Sequence, residues 1–265
     1  MRDEYRKIWE AYEAYSKTCF VIRKGHEIMD GFDSGLFEKS GSELFLSRGE
    51  SVAEHQAKTA LLMNLCLDDK YFAELVDFNV SREEALKYEL VSYSLFHDIG
   101  SIETGDVLKD GTELDTDKRI LENRQERAYN DFVEKAFSRD AEIYTSWQRW
   151  AKQGDYKKYD VVKIATAIRQ LETVLSIAFL EKNGIVGNIN RKRVISPELQ
   201  TVINAIGTDN VLDAFAGYMK LKIGNCLSFW QKKLIYGIME SALLDIRGEF
   251  FPWWKKIDDT SESFF

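Results

Sequence analysis

Apolar residues recur along most of this chain at the three-to-four-residue spacing of helices, and alternating strand-like runs of β-branched residues are scarce. Only two prolines interrupt the 265 residues. The pattern therefore predicts an all-α protein made of long helices. Charged amphipathic helices are predicted at about 118–137 and 141–153. A strongly apolar helix follows the hinge QGDYKKY and ends at Gly184.

One helix start is marked by its own sequence. In RGESVAEHQAKTALLMNLCL, Ser51 is the expected N-cap and Glu54 the acid that reaches back to it, which together form a capping box. Apolar residues follow at helical spacing. The box places His55 in the first turn of the helix.

A second helix is predicted between another capping box and a glycine. Ser81 and Glu84 form the box, and Gly100 is expected to end the helix. This assignment places the dipeptide His97-Asp98 in the last helical turn. The glycine-rich and acidic segment that follows, GSIETGDVLKDGTELDTD, is predicted to be an ordered loop.

The helical pattern divides the chain into two parts. Residues 1–184 are predicted to form one helical bundle, and 185–265 a helical extension packed on or beside it. The boundary is the Gly- and Asn-containing segment NGIVGNINRKRVISPELQ, in which Pro197 is expected at the first position of a new helix. Two or three helices should follow. The aromatic tail FFPWWKK is a candidate contact for a homodimer.

Composition indicates where in the cell the protein is expected and which classes of partner it is expected to bind. A formal charge of -8 with a sequence pI near 5.2 argues against binding extended nucleic acid. The three cysteines are far apart among apolar neighbours, which predicts buried, reduced thiols. The first residues, MRDEYRKIWEAYEAY, lack the apolar segment of a secretory signal, and no apolar run is long enough to span a bilayer. A cytoplasmic protein without a membrane partner is expected.

The candidate chemistry lies in the histidines. Only three occur in the chain; His55 lies one turn inside a capped helix, and His97 lies beside Asp98 at a helix end. Imidazole and carboxylate are natural ligands for divalent first-row metals, and a helix terminus lets the adjacent His97 and Asp98 side chains converge. A lone His-Asp pair is a weak signal, and an isolated histidine is more often packed than ligating. The conjunction of the two motifs is more specific.

The motif R-x-E-S-V-A-E-H followed by a helix, with a second helix ending in H-D-I-G-x-x-x-T-G-D, resembles the HD-domain phosphohydrolases. It is most similar to their branch of 5′-deoxynucleotidase-like proteins. The resemblance implies an all-helical HD-domain bundle that holds a divalent metal, such as Mn, Co, Mg, Fe, Ni or Zn. It implies His55, His97 and Asp98 as metal ligands.

The same resemblance implies substrate and catalytic residues. Arg48, just before the first motif, would bind substrate phosphate, and Arg23 lies where relatives often place an arginine near the substrate. Asp106 would belong to the catalytic loop. Relatives usually carry a water-activating Glu at the position of Ser101, so the implied catalytic acid here is Glu103, with Asp106 beside it.

The fourth metal ligand of the family, a later Asp, has no counterpart in this chain. Two registers of the apolar helix are open, and they place Thr166 or Arg169 at that position. Thr166 would be a weak neutral ligand, whereas Arg169 would bring a permanent positive charge that takes the place of the metal. Asp160 could reach the site only if the helix were displaced.

Three functions remain open from the sequence. The leading one is a metal-dependent phosphohydrolase whose substrate is a nucleoside monophosphate or a similar small phosphate ester. The second is a catalytically impaired HD-domain protein that binds a nucleotide or a protein partner, since Ser101 and the missing Asp weaken the catalytic set. The third is a structural bundle that assembles through its tail aromatics.

Overall fold

The computed structural model describes residues 2–21, 50–68, 80–105, 115–153, 155, 160–182, 197–224 and 226–248. All regular elements in these ranges are helical, which confirms the all-α prediction for them. The α-helices are α1 (Arg2–Lys17), α2 (Val52–Leu67), α3 (Val80–Phe96), α4 (Asp115–Ala136), α5 (Ala141–Gln153), α6 (Asp160–Lys182), α7 (Pro197–Ile206), α8 (Val211–Gly224) and α9 (Phe229–Arg247). Short 3-10 turns occupy Thr18–Phe20 and Ile99–Ile102.

The helix bounds agree with the sequence pattern except around α3. Ser81 lies inside α3, so it is not the residue that precedes the helix, and α3 ends at Phe96. His97 and Asp98 therefore follow the helix instead of closing it. The chain tightens there into the 3-10 turn that contains Gly100, whose α-carbon packs directly against the backbone of Gln125 on α4.

Helix α6 lies at the centre of the described structure. It contacts α2, α3, α5, α8 and α9. Its buried positions run around the whole circumference, as expected for a helix covered on all sides. Two of those buried residues, Glu172 and Ser176, are polar. Because burying a polar group without a partner is costly, these two residues mark a site where α6 must meet complementary groups.

An aromatic cluster fixes the end of α3. The Phe96 ring is 2% exposed, and its centroid lies 4.6 Å from that of Phe137 and 5.0 Å from that of Tyr144. The Trp147 ring is buried and packs edge-on against Tyr144. Such aromatic packing buries much apolar area and restricts the side-chain positions. It anchors the backbone immediately before His97.

Helices α8 and α9 pack on α6, and α7 packs on α8. Helix α7 begins at Pro197, as the sequence predicts, and α9 begins with a capping box of Ser228 and Gln231. Arg247 near the end of α9 binds the carboxylates of Glu181 on α6 and Asp213 on α8. This ion-pair network joins three helices at one end of the bundle.

Two further expectations have a structural answer. Cys66 is buried, but Cys19 is exposed after α1, so the prediction that all the cysteines are buried is wrong for Cys19. Cys19 lies at a helix end, where its side chain reaches the surface.

No described helix combines the length and the apolar composition needed to cross a bilayer. The tail FFPWWKK and most of the hinge QGDYKKY lie outside the described residues.

Candidate metal centre

His55 is held at the start of α2 by the capping box that the sequence predicts. The Ser51 hydroxyl accepts from the Glu54 N–H, and the Glu54 carboxylate accepts from the Ser51 N–H at 2.7 Å. The next N–H, of Val52, donates to the Val21 carbonyl at 2.8 Å, which ties α2 to the chain after α1. These bonds fix the first turn, and they direct the His55 ring, 1% exposed, into the interior.

The two nitrogens of His55 face two carboxylates. Nδ1 is hydrogen-bonded to Oε2 of Glu172, which comes from the middle of α6. Nε2 lies 3.6 Å from Oδ2 of Asp98. Nδ1 is bonded to Glu172 whereas Nε2 lies beyond hydrogen-bond distance from Asp98, so the neutral ring carries its hydrogen on Nδ1 and directs the Nε2 lone pair toward Asp98.

His97 has the same arrangement with a different partner. Its Nδ1 lies 2.9 Å from the Ser94 carbonyl oxygen, one turn earlier on α3, so Nδ1 is again the donor. Its Nε2 lies 3.0 Å from Oδ2 of Asp98. The two imidazole rings meet edge-on with centroids 5.2 Å apart. Both Nε2 atoms therefore converge on one carboxylate oxygen.

The separations of these three atoms fit a small metal ion. His55, His97 and Asp98 each offer a ligand atom within 4.8 Å of the others. Metal–nitrogen and metal–oxygen bonds of about 2.0–2.2 Å in tetrahedral geometry place neighbouring ligand atoms roughly 3.4 Å apart. The two distances to Asp98 Oδ2, 3.0 and 3.6 Å, bracket that value. A metal between these atoms would need little rearrangement.

Electrostatics at Asp98 favour a bound cation. Burial would raise the pKa of Asp98, but positive charge on the two neighbouring imidazoles and on Arg169 outweighs it and holds that pKa well below its usual range. The carboxylate is therefore ionised, and two nitrogen lone pairs point toward it when the rings are neutral. The site must take up positive charge, either as protons on the imidazoles or as a metal ion.

The backbone of Asp98 is held by a residue that the sequence did not single out. Gln56, fully buried beside His55, can orient its amide so that its oxygen accepts from the N–H groups of Asp98 and Ile99 at 3.1 and 3.2 Å. Its nitrogen then donates to the Leu95 carbonyl at 3.2 Å. Gln56 links α2 to the turn after α3 and sets the position of Asp98.

Glu172 and Glu50 were also missed by the sequence reasoning. Both are buried, and with His55 they form a second group of closely spaced ligand atoms. Glu50 stood within the motif RGESVAEH without a role, and Glu172 is the one acid in the apolar run AIRQLETVLSIAF. A lone buried acid in such a run is a signal that sequence reading could have used, because it requires a partner.

Thr166 and Arg169, the alternatives for the missing Asp, lie one turn apart on α6. Both line a pocket beside His97 whose other walls include Trp147 and Thr59. The Thr59 hydroxyl is 1% exposed and makes no hydrogen bond within the described part of the chain. Neither Thr166 nor Arg169 can supply a charged metal ligand, but the pocket combines a cation, hydroxyls and an aromatic wall next to the metal ligands.

The structure does not bring Glu103 or Asp160 to this centre. Glu103 is exposed at the end of the 3-10 turn and lies in neither group of closely spaced ligand atoms. Asp160 is exposed and pairs with Lys163. Arg23, Arg48 and Asp106 lie outside the described residues.

Comparison with protein-family models, with curated proteins and with solved structures finds no match to this chain. The functional argument therefore depends on the geometry of the centre and on the motifs in the sequence.

Proposed function

We propose that this chain is a metal-dependent phosphohydrolase of the HD-domain type, acting on a nucleoside monophosphate or a similar small phosphate ester. One observation carries the proposal. The Nδ1 atoms of His55 and His97 both bond to acceptors, so both Nε2 lone pairs face the ionised Asp98 carboxylate. This donor set of two nitrogens and one oxygen suits Mn, Fe, Co, Ni or Zn, and it leaves positions for solvent and substrate.

A bound divalent metal would supply an activated water and neutralise charge on the phosphoryl oxygens. The residues of the chain would supply orientation. The buried His55 and His97 and the half-buried Asp98 would hold the metal. Arg169, on the wall of the adjacent pocket, is placed to donate hydrogen bonds to phosphate oxygens, which guanidinium groups bind in a bidentate manner. The net acidity of the protein is then compensated at one pocket.

The cavity beside His97 has a volume of about 10 Å³, which is room for roughly one water molecule. It would therefore hold solvent next to the metal, with the Thr59 hydroxyl as a hydrogen-bonding group that the described residues leave unused, and the nucleoside would lie outside it. The proposal keeps Glu103 and Asp106 as the candidate groups that position water, because both lie close after Asp98 in sequence.

The second candidate function is a non-hydrolysing HD-domain protein that binds a nucleotide. Ser101 favours this alternative, because it is only 5% exposed and occupies the position at which the HD-domain proteins carry a water-activating Glu. A hydroxyl cannot act as a general base near neutral pH. The exposed position of Glu103 also favours this alternative.

The deciding experiment combines metal analysis with turnover. Protein purified without chelator is analysed for metals, then assayed with Mn²⁺, Co²⁺ or Mg²⁺ for phosphate release from a panel of ribo- and deoxyribonucleoside monophosphates. Asp98→Asn should lose metal and activity. Asp160→Asn is the matched control, because Asp160 is an exposed aspartate paired only with a neighbouring lysine in the described structure.

Each result points to one function. Stoichiometric metal with turnover that Asp98→Asn abolishes supports the phosphohydrolase. Metal together with nucleotide-induced thermal stabilisation, but no phosphate release, supports the binding protein. Protein that neither contains nor takes up metal, and that releases no phosphate, refutes the metal-dependent function.

A further inference from the structure

A set of hydrogen-bonded side chains, buried except for its lysine, lies on the side of His55 opposite Asp98. We call it the supporting cluster, and it consists of Glu50, Lys58, Glu172 and Ser176. The Ser176 hydroxyl donates to Oε1 of Glu172 at 2.5 Å and lies 3.2 Å from Oε1 of Glu50. Lys58 donates to the same Glu50 oxygen at 2.5 Å. A hydroxyl has one hydrogen, so Ser176 bonds Glu172 and only lies near Glu50, whose carboxylate accepts from Lys58.

The supporting cluster is not arranged as a second metal site. Of the two Glu172 oxygens, Oε2 accepts from His55 and Oε1 accepts from Ser176. The Glu50 charge is compensated by the Lys58 ammonium, whose side chain is 51% exposed while that of Glu50 is 5% exposed. Both Glu172 oxygens and Oε1 of Glu50 thus already accept hydrogens from the protein. The cluster is better suited to hold a side chain in place.

The side chain it holds is His55, whose two nitrogens have competing acceptors. If only Asp98 were present, the favoured neutral tautomer would carry its hydrogen on Nε2 and donate it to Asp98. That hydrogen would occupy the lone pair that a metal needs. Glu172 competes for the hydrogen at Nδ1, because it is 1% exposed and bonded to His55 directly. An outer carboxylate of this kind fixes the tautomer and ring orientation of a metal-binding histidine.

We propose that Glu172 is the positioning residue for His55: it holds the ring in the Nδ1–H tautomer with Nε2 directed at the metal position, and the Ser176 hydroxyl holds Glu172. The inference depends on the metal centre of the proposed function, but it concerns a residue of α6 outside the ligand set. Helix α6 thus contributes an orienting carboxylate behind the site, at a position 117 residues from His55 in sequence.

The first test reads the tautomer of His55 in the wild-type protein and uses variants only to assign the signals. The chain contains only three histidines, so ¹⁵N-labelled histidine side chains give a spectrum that single substitutions of His26 and His97 assign. At mildly alkaline pH and without metal, His55 is expected as the Nδ1–H tautomer. His97 is the internal reference, since its Nδ1 donates to a carbonyl oxygen. A His55 ring with its hydrogen on Nε2 would overturn the proposal, whether or not the protein binds metal.

The second test measures Co²⁺ affinity by competition with a chelator and follows the visible absorption of the bound ion. Glu172→Ala should weaken Co²⁺ binding by roughly 10- to 100-fold, the usual effect of losing such an outer partner. Glu172→Gln keeps an acceptor oxygen and the side-chain volume, so it should weaken binding less. Both should change the Co²⁺ spectrum and raise the Nε2–H population of His55.

Glu181→Gln is the matched control, because Glu181 lies on the same helix and pairs with Arg247, away from His55. It is expected to lower thermal stability and leave Co²⁺ affinity at the wild-type value. Wild-type affinity in both Glu172 variants would refute the positioning role. If the wild-type protein binds no Co²⁺, the metal-dependent function fails, while the tautomer of His55 still decides the role of Glu172.

Discussion

Substitution of Gly100 by alanine would show how strongly the metal centre depends on the packing of the turn that follows Asp98. A Cβ atom added at this position would lie 2.4 Å from the backbone oxygen of Gln125 and 2.9 Å from its carbonyl carbon. Both atoms belong to the backbone of α4, which cannot rotate away as a flexible side chain can. Gly100→Ala therefore requires the turn and α4 to separate.

The size of the effect follows from that overlap. Ordinary contacts of a Cβ begin at about 3.4 Å, so one of the two elements must move by roughly 1 Å, and overpacking of this kind costs about 1–3 kcal/mol of unfolding free energy. Asp98 lies two residues before Gly100, and its N–H is held by Gln56. Moving the turn would strain that bond and displace the Asp98 carboxylate, so metal affinity should fall together with stability.

The assay is denaturant unfolding combined with Co²⁺ titration. Gly237→Ala is the matched control, because Gly237 lies within α9 and a Cβ there meets nothing within 4 Å. That variant should raise the unfolding free energy by up to about 1 kcal/mol, as alanine is favoured over glycine in a helix, and should leave Co²⁺ affinity unchanged. Gly100→Ala with wild-type stability and affinity would refute the close-packing argument.

Two further predictions concern the rest of the bundle. Arg247→Leu leaves the mostly buried carboxylates of Glu181 and Asp213 without their shared cation, so unfolding free energy should fall by about 2–3 kcal/mol. Burial raises the pKa of Asp213 even with Arg247 present, so the folded protein binds a proton at this carboxylate more tightly than the unfolded chain does. The stability lost in Arg247→Leu should therefore shrink as pH falls and Asp213 becomes neutral. Urea unfolding at several pH values measures this, and a loss that does not change with pH would contradict it. Burial raises the pKa of Tyr144 to about 12, and it raises the pKa of Tyr129 further above the usual value. Tyrosines in the unfolded chain lose their protons near pH 10, so the free energy of unfolding should fall as pH rises from about 10 to 12. These two phenols should ionise only where circular dichroism shows the helices unfolding. Ionisation of every tyrosine near pH 10 with intact helices would disprove the prediction.

Local sequence signals predicted the helices and half of the candidate centre. The capping box of Ser51 and Glu54 was predictable because its partners are three residues apart, and the structure confirms it. The helical spacing of apolar residues likewise predicted α5 and α6 closely. The end of α3 was harder, because the turn at Gly100 is set by contact with α4 and not by its own residues.

The sequence by itself determined that two histidines and an aspartate lie at helix ends, where their side chains can converge. Only the tertiary structure decided which atoms meet. Glu172 is 117 residues from His55, and Ser176 is 126 residues from Glu50, so their bonds depend on how α6 is rotated against α2. That rotation is set by burial of apolar surface summed over the whole helix, which no local pattern records. The same packing assigned the Nδ1 hydrogen of His55 to α6 and left Nε2 facing Asp98.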